Sequence, residues 1–351
     1  MQPKQHRVLM LEAPRRVRLA EMLLPPPGPQ DVVVKPLLST FKHGTEMMAY
    51  FGASPFAERT FDPQLRLFEA AEKPPAFYPR PMGNMMVGTV EWAGSEVQDL
   101  KRGQHVYAWA AVSDMHVLPA GKVLPLGDLL PQQALCIDPA TFALGGLIDG
   151  AIQPADRVLV TGLGAIGLFV IQYCKSLGAD VVATSRFAAR RKLAEAYGAD
   201  KVYDAAVHDD LARVIKQATG GVEAAIECSG SLANLNLAIR ATRQCGRVVC
   251  IGFYGSADSS INLGEEFFHN RLTLLASLPA QAWNNPVRGP SPLYAKELQV
   301  MVARDFREAK ITSNGILDPT IPFDEAHRAV QFIAEEPHRV VKLLLDHSAQ
   351  H

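Results

Sequence analysis

The chain has little cysteine and none of it is paired by spacing. Cys136, Cys174, Cys228, Cys245 and Cys250 are odd in number and scattered through 351 residues, with no CxxC. That excludes a disulfide framework and a four-cysteine zinc lobe. Long hydrophobic runs are missing as well. No stretch reaches the roughly 18 apolar residues of a membrane span, and the opening MQPKQHRVLM holds no long apolar segment. An excess of one charge is also lacking: 35 Lys+Arg against 36 Asp+Glu leave −1. Nothing therefore favours nucleic acid or an anionic membrane as partner. Repeats and low-complexity tracts are absent. What is present is a globular composition, 48% apolar, with length for two domains. The expectation is a soluble, cytosolic enzyme acting on a small molecule.

Texture divides the chain. Up to about residue 150 it reads as β-rich and irregular. Apolar alternation runs through Val32–Leu37, Val87–Ala93 and His105–Trp109, punctuated by Pro and Gly. Phe56–Pro81 carries several prolines and little periodicity, so it reads as a long surface loop or lid. From Asp156 strands alternate with helices. Strands are expected at Arg157–Thr161, Asp180–Thr184, Lys201–Tyr203, Ala224–Glu227, Arg247–Gly252 and Leu272–Ala276. Helical patterns lie between them, and the whole predicts an α/β, doubly wound parallel sheet beside a β-rich domain. Pro279–Pro292 is aperiodic. A helix over Leu293–Arg304, another over Phe323–Ala334 and a strand over Arg339–Leu345 follow.

The densest signal is RVLVTGLGAIG at Arg157–Gly167. An apolar strand runs into Gly162-Leu163-Gly164-Ala165-Ile166-Gly167, then into an apolar helix. In this setting Gly162 permits a tight turn, Gly164 lets the backbone approach a pyrophosphate, and Gly167 lets helix and strand pack closely. The helix N-terminus then faces the phosphates. An acidic residue about 20 positions on would select the ribose 2′-hydroxyl of NAD. None is there: the second strand ends Thr184-Ser185-Arg186, with Arg190 and Arg191 nearby. Small hydroxyl plus forked, permanent cation suits a 2′-phosphate, so NADP(H) is expected.

Several further segments share one pattern. Pro26-Pro27-Gly28 with Val32-Val33-Val34, Gly44-Thr45-Glu46, Gly83-Asn84-Met85-Met86-Val87-Gly88 and Gly103-Gln104-His105-Val106 follow one another in order. Glu227-Cys228-Ser229-Gly230 and Val340-Val341-Lys342-Leu343 come later. Over essentially its full length the chain resembles the medium-chain dehydrogenase/reductase superfamily, which contains zinc alcohol dehydrogenases and quinone reductases. The resemblance implies a GroES-like catalytic domain made of both termini, here residues 1–148 and 285–351, around a Rossmann domain at 149–284. It implies a homodimer or homotetramer. It also adds Ala165, Ile166, Cys228, Phe253 and Lys342 to the cofactor-binding set of Gly162, Gly164, Gly167, Ser185, Arg186 and Arg190.

The departures from the superfamily pattern matter most. Three side chains hold catalytic zinc in its metal-dependent members, and their places resemble His43, Asn84 and Asp138 here. A neutral amide is a poor zinc ligand, and Met85 replaces the glutamate behind the metal. No zinc is expected. Gly252–Gly255 and Phe267–Leu272 add a narrower likeness to a zinc-lacking branch that includes bacteriochlorophyllide-type alcohol dehydrogenases. The resemblance then casts His43 as general acid/base, Asp138 as the residue fixing its tautomer, Thr45 as a proton relay and Asn84 as donor to the substrate oxygen. Asp138 also reads as the N-cap of a helix after Pro139. The expected activity is reduction of a carbonyl or oxidation of a secondary alcohol. Reduction of an activated C=C bond is the alternative, since Met82, Met85 and Met86 allow an apolar site, and non-catalytic cofactor binding is a third.

Overall fold

The computed structural model describes residues 5–62, 64–70, 76–255, 261–279 and 295–348. Contacts divide the chain into two compact units, Met1–Leu135 with Leu317–His351, and Cys136–Ile316.

The first unit is β-rich and drawn from both ends of the sequence. Its main sheet is organised on the strand Asp31–Thr40, where Val32 and Val34 are fully buried at alternate positions. Met85–Ala93 and His116–Pro119 pair with it antiparallel. The strand Lys342–Asp346 pairs with its far end, Leu344 opposite Thr40 and Asp346 opposite Leu38. Pro36 lacks a ladder donor, and the register shifts between Pro36 and Leu38. Outside this sheet, Gln5–Ala13 pairs with Arg16–Leu23 and with the short strand Arg80–Pro81. The helix His43–Tyr50 leaves the main sheet directly after Thr40. The stretch expected as a loop at Phe56–Pro81 instead contains a hairpin, Arg59–Asp62 against Leu67–Ala70. Its second strand is exposed throughout, so no buried face gives it a period that the sequence could betray.

The second unit is the doubly wound sheet. Its strands are β1 (Arg157–Thr161), β2 (Asp180–Ser185), β3 (Lys201–Asp204), β4 (Val222–Glu227), β5 (Thr242–Cys250) and β6 (Thr273–Ala276). All are parallel, in the order 3-2-1-4-5-6. Val158, Leu159 and Val160 are wholly buried, as the centre of a sheet covered on both faces requires. The crossover helices are α1 (Ala165–Leu177), α2 (Ala188–Ala196), α3 (Leu211–Thr219) and α4 (Leu232–Ala241). Gly178 ends α1 at φ +90°, a conformation that costs glycine nothing.

This unit is wider than the expected 149–284. The helix Ile137–Asp149 packs against α1 and against the helix Ala295–Arg307, so contacts draw both outer helices to the sheet. Of Pro279–Pro292 only Pro279 lies within the described residues, as does the part of Leu293–Arg304 from Ala295 onward.

Candidate active site

The strand order fixes where a ligand of the second unit should sit. The order reverses between β1 and β4, and in open α/β sheets ligands bind beyond the carboxyl ends of the strands at such a switch point. Thr161 and Glu227 stand level at that edge. Gly162 and Cys228 are the next residues, and the Cys228 N–H donates to the Thr161 carbonyl at 2.9 Å.

The three glycines divide their work. At Gly162, φ is +86° and an added Cβ would lie 2.6 Å from Ser229 Cβ and 2.8 Å from its backbone nitrogen. At Gly167 it would lie 2.1 Å from the Gly162 carbonyl. At Gly164 it would meet nothing within 4 Å. Two glycines therefore close the turn, and the middle one faces open space. Gly164 is also the N-cap of α1 and supplies no side-chain cap, which leaves the first amides, with half-buried Ala165 and Ile166, to a ligand. This turn fits a dinucleotide pyrophosphate.

A brace that sequence reasoning missed holds the other wall. Glu227 is fully buried. It accepts from the Ser229 N–H at 2.6 Å, the Ser229 hydroxyl, the Gly230 N–H at 3.0 Å and the Tyr254 hydroxyl at 2.6 Å. Burial and the Glu227 charge push the Tyr254 phenol well above its ordinary range, so it stays a donor. Ser229 is the residue against which Gly162 packs. The signals in the sequence were a glutamate ending an apolar strand and the segment Glu227-Cys228-Ser229-Gly230, neither of which named Tyr254. Cys228 is half-buried beside this carboxylate, its thiol pushed up by burial. Phe253 lies next to Tyr254, and its carbonyl lies where an added Cβ at Gly230 would clash.

At the end of β2 the charges are concentrated. The Ser185 hydroxyl accepts from the Phe187 N–H at 3.1 Å. Arg186 and Arg190 both place their guanidinium groups over the Phe187 ring, at 4.9 and 4.7 Å. Burial first, then the Arg186 charge, lowers Arg190 to about 10, so it remains a cation at neutral pH. Arg191 is engaged elsewhere, donating to the Ser185 carbonyl at 2.8 Å and pairing with Asp204 at 2.7 Å.

In the first unit, His43 and Thr45 occupy the first turn of His43–Tyr50. Asn84 is held beside them by its backbone: its N–H donates to the Thr40 carbonyl at 2.9 Å and its carbonyl accepts from Ala110 at 3.1 Å. The structure thus gathers His43, Thr45 and Asn84 around the end of one strand. The His43 Nε2 accepts from the Leu343 N–H at 3.1 Å, so the neutral ring carries its proton on Nδ1. Glu46, buried, accepts from the Lys42 N–H at 2.8 Å and from the Gly83 N–H, tying the helix to the loop before Asn84. Burial raises its carboxyl above the usual range; those two bonds and the charges of Lys342 and Arg80 pull the other way. Lys342 is buried, donating to the Phe41 carbonyl at 2.7 Å.

Asp138 belongs to the other unit. It sits inside the first turn of a helix that starts at Ile137, so it does not N-cap a helix after Pro139; Cys136 is the cap residue. Met82, Met85 and Met86 are core side chains, at most 2% exposed. Among the described residues, no group of three His, Cys, Asp or Glu is placed to hold a metal ion. With Asn84 an amide and the His43 Nε2 already accepting from the backbone, this donor set does not fit a three-ligand zinc centre.

The comparisons agree with this architecture. A family model described as zinc-binding dehydrogenase matches residues 165–285. That span carries none of His43, Asn84 and Asp138. D-guloside 3-dehydrogenase of Escherichia coli (strain K12) is 28% identical over 95% of this chain and 98% of its own. The 2R,3R-butanediol dehydrogenase structure from Bacillus subtilis superposes with TM-score 0.76 at 21% identity, covering 97% of this chain and 99% of that one. A zinc-binding-dehydrogenase-type protein of Sinorhizobium meliloti 1021, bound to NADP, gives 0.75 at 21%, covering 98% and 99%. The fold and the glycine turn define a dehydrogenase-type oxidoreductase. Within that class the chain is similar to zinc-type alcohol dehydrogenase-like proteins over nearly its full length.

Proposed function

We propose that the chain is an NADP(H)-dependent dehydrogenase of a secondary alcohol on a polyol or sugar, or reductase of the matching ketone, working without catalytic zinc. The observation that carries this is the set His43, Thr45 and Asn84 around the end of Asp31–Thr40, where donors replace metal ligands. The sugar-type substrate is suggested by the guloside dehydrogenase relative. The 2′-phosphate preference is suggested by Arg186 and Arg190 sharing the Phe187 ring. Two like charges on one ring repel, and a dianion relieves them.

When bound, the nicotinamide supplies or accepts the hydride. The protein then has to handle one proton and the charge on the substrate oxygen. His43 is restricted in how it serves. Its Nε2 is occupied as an acceptor, so the mobile proton is the one on Nδ1. Thr45, two residues on in the same turn, relays that proton, and the Asn84 amide donates to the oxygen. Met82, Met85 and Met86, proposed as lining for C=C reduction, are core side chains, which supports carbonyl chemistry as the preferred reading. The test is oxidation of NADPH and of NADH against a panel of sugar ketones and enones, with and without chelator. Chelator-sensitive turnover with about one zinc per chain would sink the metal-free mechanism. Reduction of enones alone would sink the alcohol dehydrogenase activity.

A further inference from the structure

The exposed hairpin of the first unit has no place in the chemistry above, and it is unusual. It and the turn Pro55–Ala57 before it keep aromatic rings in water: Phe56 is 41% and Phe68 40% exposed. The rings nonetheless cluster, Phe56–Phe68 at 5.3 Å and Phe61–Phe68 at 5.0 Å. Beside them is a cleft of about 460 Å³, within the usual size of a small-molecule site. Phe56, Phe61 and Phe77 line it together with Arg59 and Arg80. Among the described residues, no acidic residue lines it and neither arginine forms an ion pair, although the Arg80 charge also acts on the buried Glu46 carboxyl. The Arg80 guanidinium lies over the Phe77 ring at 4.8 Å, which leaves its in-plane N–H donors unused by that contact.

The cleft is bolted to the candidate catalytic helix. The Tyr78 hydroxyl donates to the Ala49 carbonyl at 2.5 Å. Arg80 stands opposite Leu11, three residues before Gly83, whose N–H is held by Glu46. The wall Phe77–Pro81 thus shares an anchor with His43 and Thr45.

We propose that this cleft receives the anionic end of the substrate, a carboxylate or a phosphate ester on a polyol or sugar body. Arg59 and Arg80 supply forked donors for the anion, and the phenylalanines cover the apolar face of the carbon chain. The assignment to the substrate rests on the dehydrogenase function proposed above; the binding chemistry does not.

The experiment is calorimetric titration of the full-length protein with D-sorbitol, D-gluconate, D-sorbitol 6-phosphate and inorganic phosphate, NADP present throughout. Turnover of the three organic probes is measured in parallel. The wild type is expected to bind one of the organic anions at least about tenfold more tightly than sorbitol. Arg59→Gln/Arg80→Gln should bring that ratio to within about twofold, and Arg59→Lys/Arg80→Lys should restore part of it. Arg59→Gln alone, at an exposed position, should lower the ratio without disturbing the fold. Equal binding of sorbitol and both anions, a preference that survives the double Gln variant, or inorganic phosphate binding as tightly as the ester would each overturn the proposal. Charge-dependent binding with no turnover of any probe would instead overturn the assignment to the substrate.

Discussion

Two buried glutamates show how differently the two units organise their sites. Glu227, in the second unit, gathers two backbone amides and one hydroxyl from the three residues that follow it, plus the hydroxyl of distant Tyr254. Glu46, in the first, holds two amides from segments far apart in sequence, with Lys342 and Arg80 as compensating charges. The first arrangement is mostly local and draws on hydroxyls. The second is non-local and relies on cations. The lesson is that the bonds of the Glu227 turn come mostly from its own short segment, whereas the candidate catalytic corner exists only once distant strands have met.

The comparison breaks most sharply at the glycines. Gly162→Val combines a positive φ with a clash against Ser229 and is expected to cost about 3 kcal/mol or more of stability. Gly164→Val faces open space and should leave the urea midpoint nearly unchanged while weakening cofactor binding at least about tenfold. Equal destabilisation by both would show that the turn does not divide its work as described. Next in size, His43→Ala should lower turnover by about a hundredfold or more with cofactor affinity retained; unchanged kcat would remove His43 from the chemistry. Arg186→Ala should then weaken NADPH by about tenfold and leave NADH as it was, a difference read from paired fluorescence titrations.

A smaller effect sharpens the contrast between units. His347 and His116, both buried in the first unit, are each lowered from 6.5 to about 4, mainly by burial and secondarily by a neighbouring histidine. The Ser39 hydroxyl bonds the His347 Nε2 at 2.8 Å, and the His347 ring stacks on Phe323. Because the folded values lie below the unfolded ones, the unfolded chain binds more protons between pH 4 and 6.5. Stability is therefore full above about 6.5 and declines as pH falls toward 4, by on the order of 3 kcal/mol per histidine at complete titration. Urea midpoints across that range should show the slope, and His347→Gln should flatten it. A slope unaltered by that substitution would assign the acid sensitivity elsewhere.

How much was legible in the sequence follows the same division. The bounds of β1 and of His105–Trp109 are as expected, because β1 is an apolar run ended by Gly162 and His105–Trp109 an apolar run that follows the turn at Gly103. The glycine turn was legible because backbone sterics admit few alternatives. The start of the helix Ile137–Asp149 was not. Pro139 suggested a beginning, but it is the third helical residue, where its missing N–H has no partner to lose. β5 begins at Thr242, with no loop after α4, so the strand start expected at Arg247 missed its first five residues. The Glu227–Tyr254 bond and the Ser39–His347 bond join residues 27 and 308 positions apart. No local pattern records such pairings.

The strand Lys342–Asp346 bears on how the protein is made. It covers the edge of Asp31–Thr40 from Leu38 to Thr40 and supplies the N–H that fixes the His43 ring. During synthesis the second unit is complete and free to fold while that edge still awaits its neighbour. For the length of time needed to translate the intervening segment, a nascent chain carries an open, apolar sheet edge that can join a neighbouring chain instead. Chaperone demand should thus fall on the half of the molecule synthesised first, which is the half that finishes last.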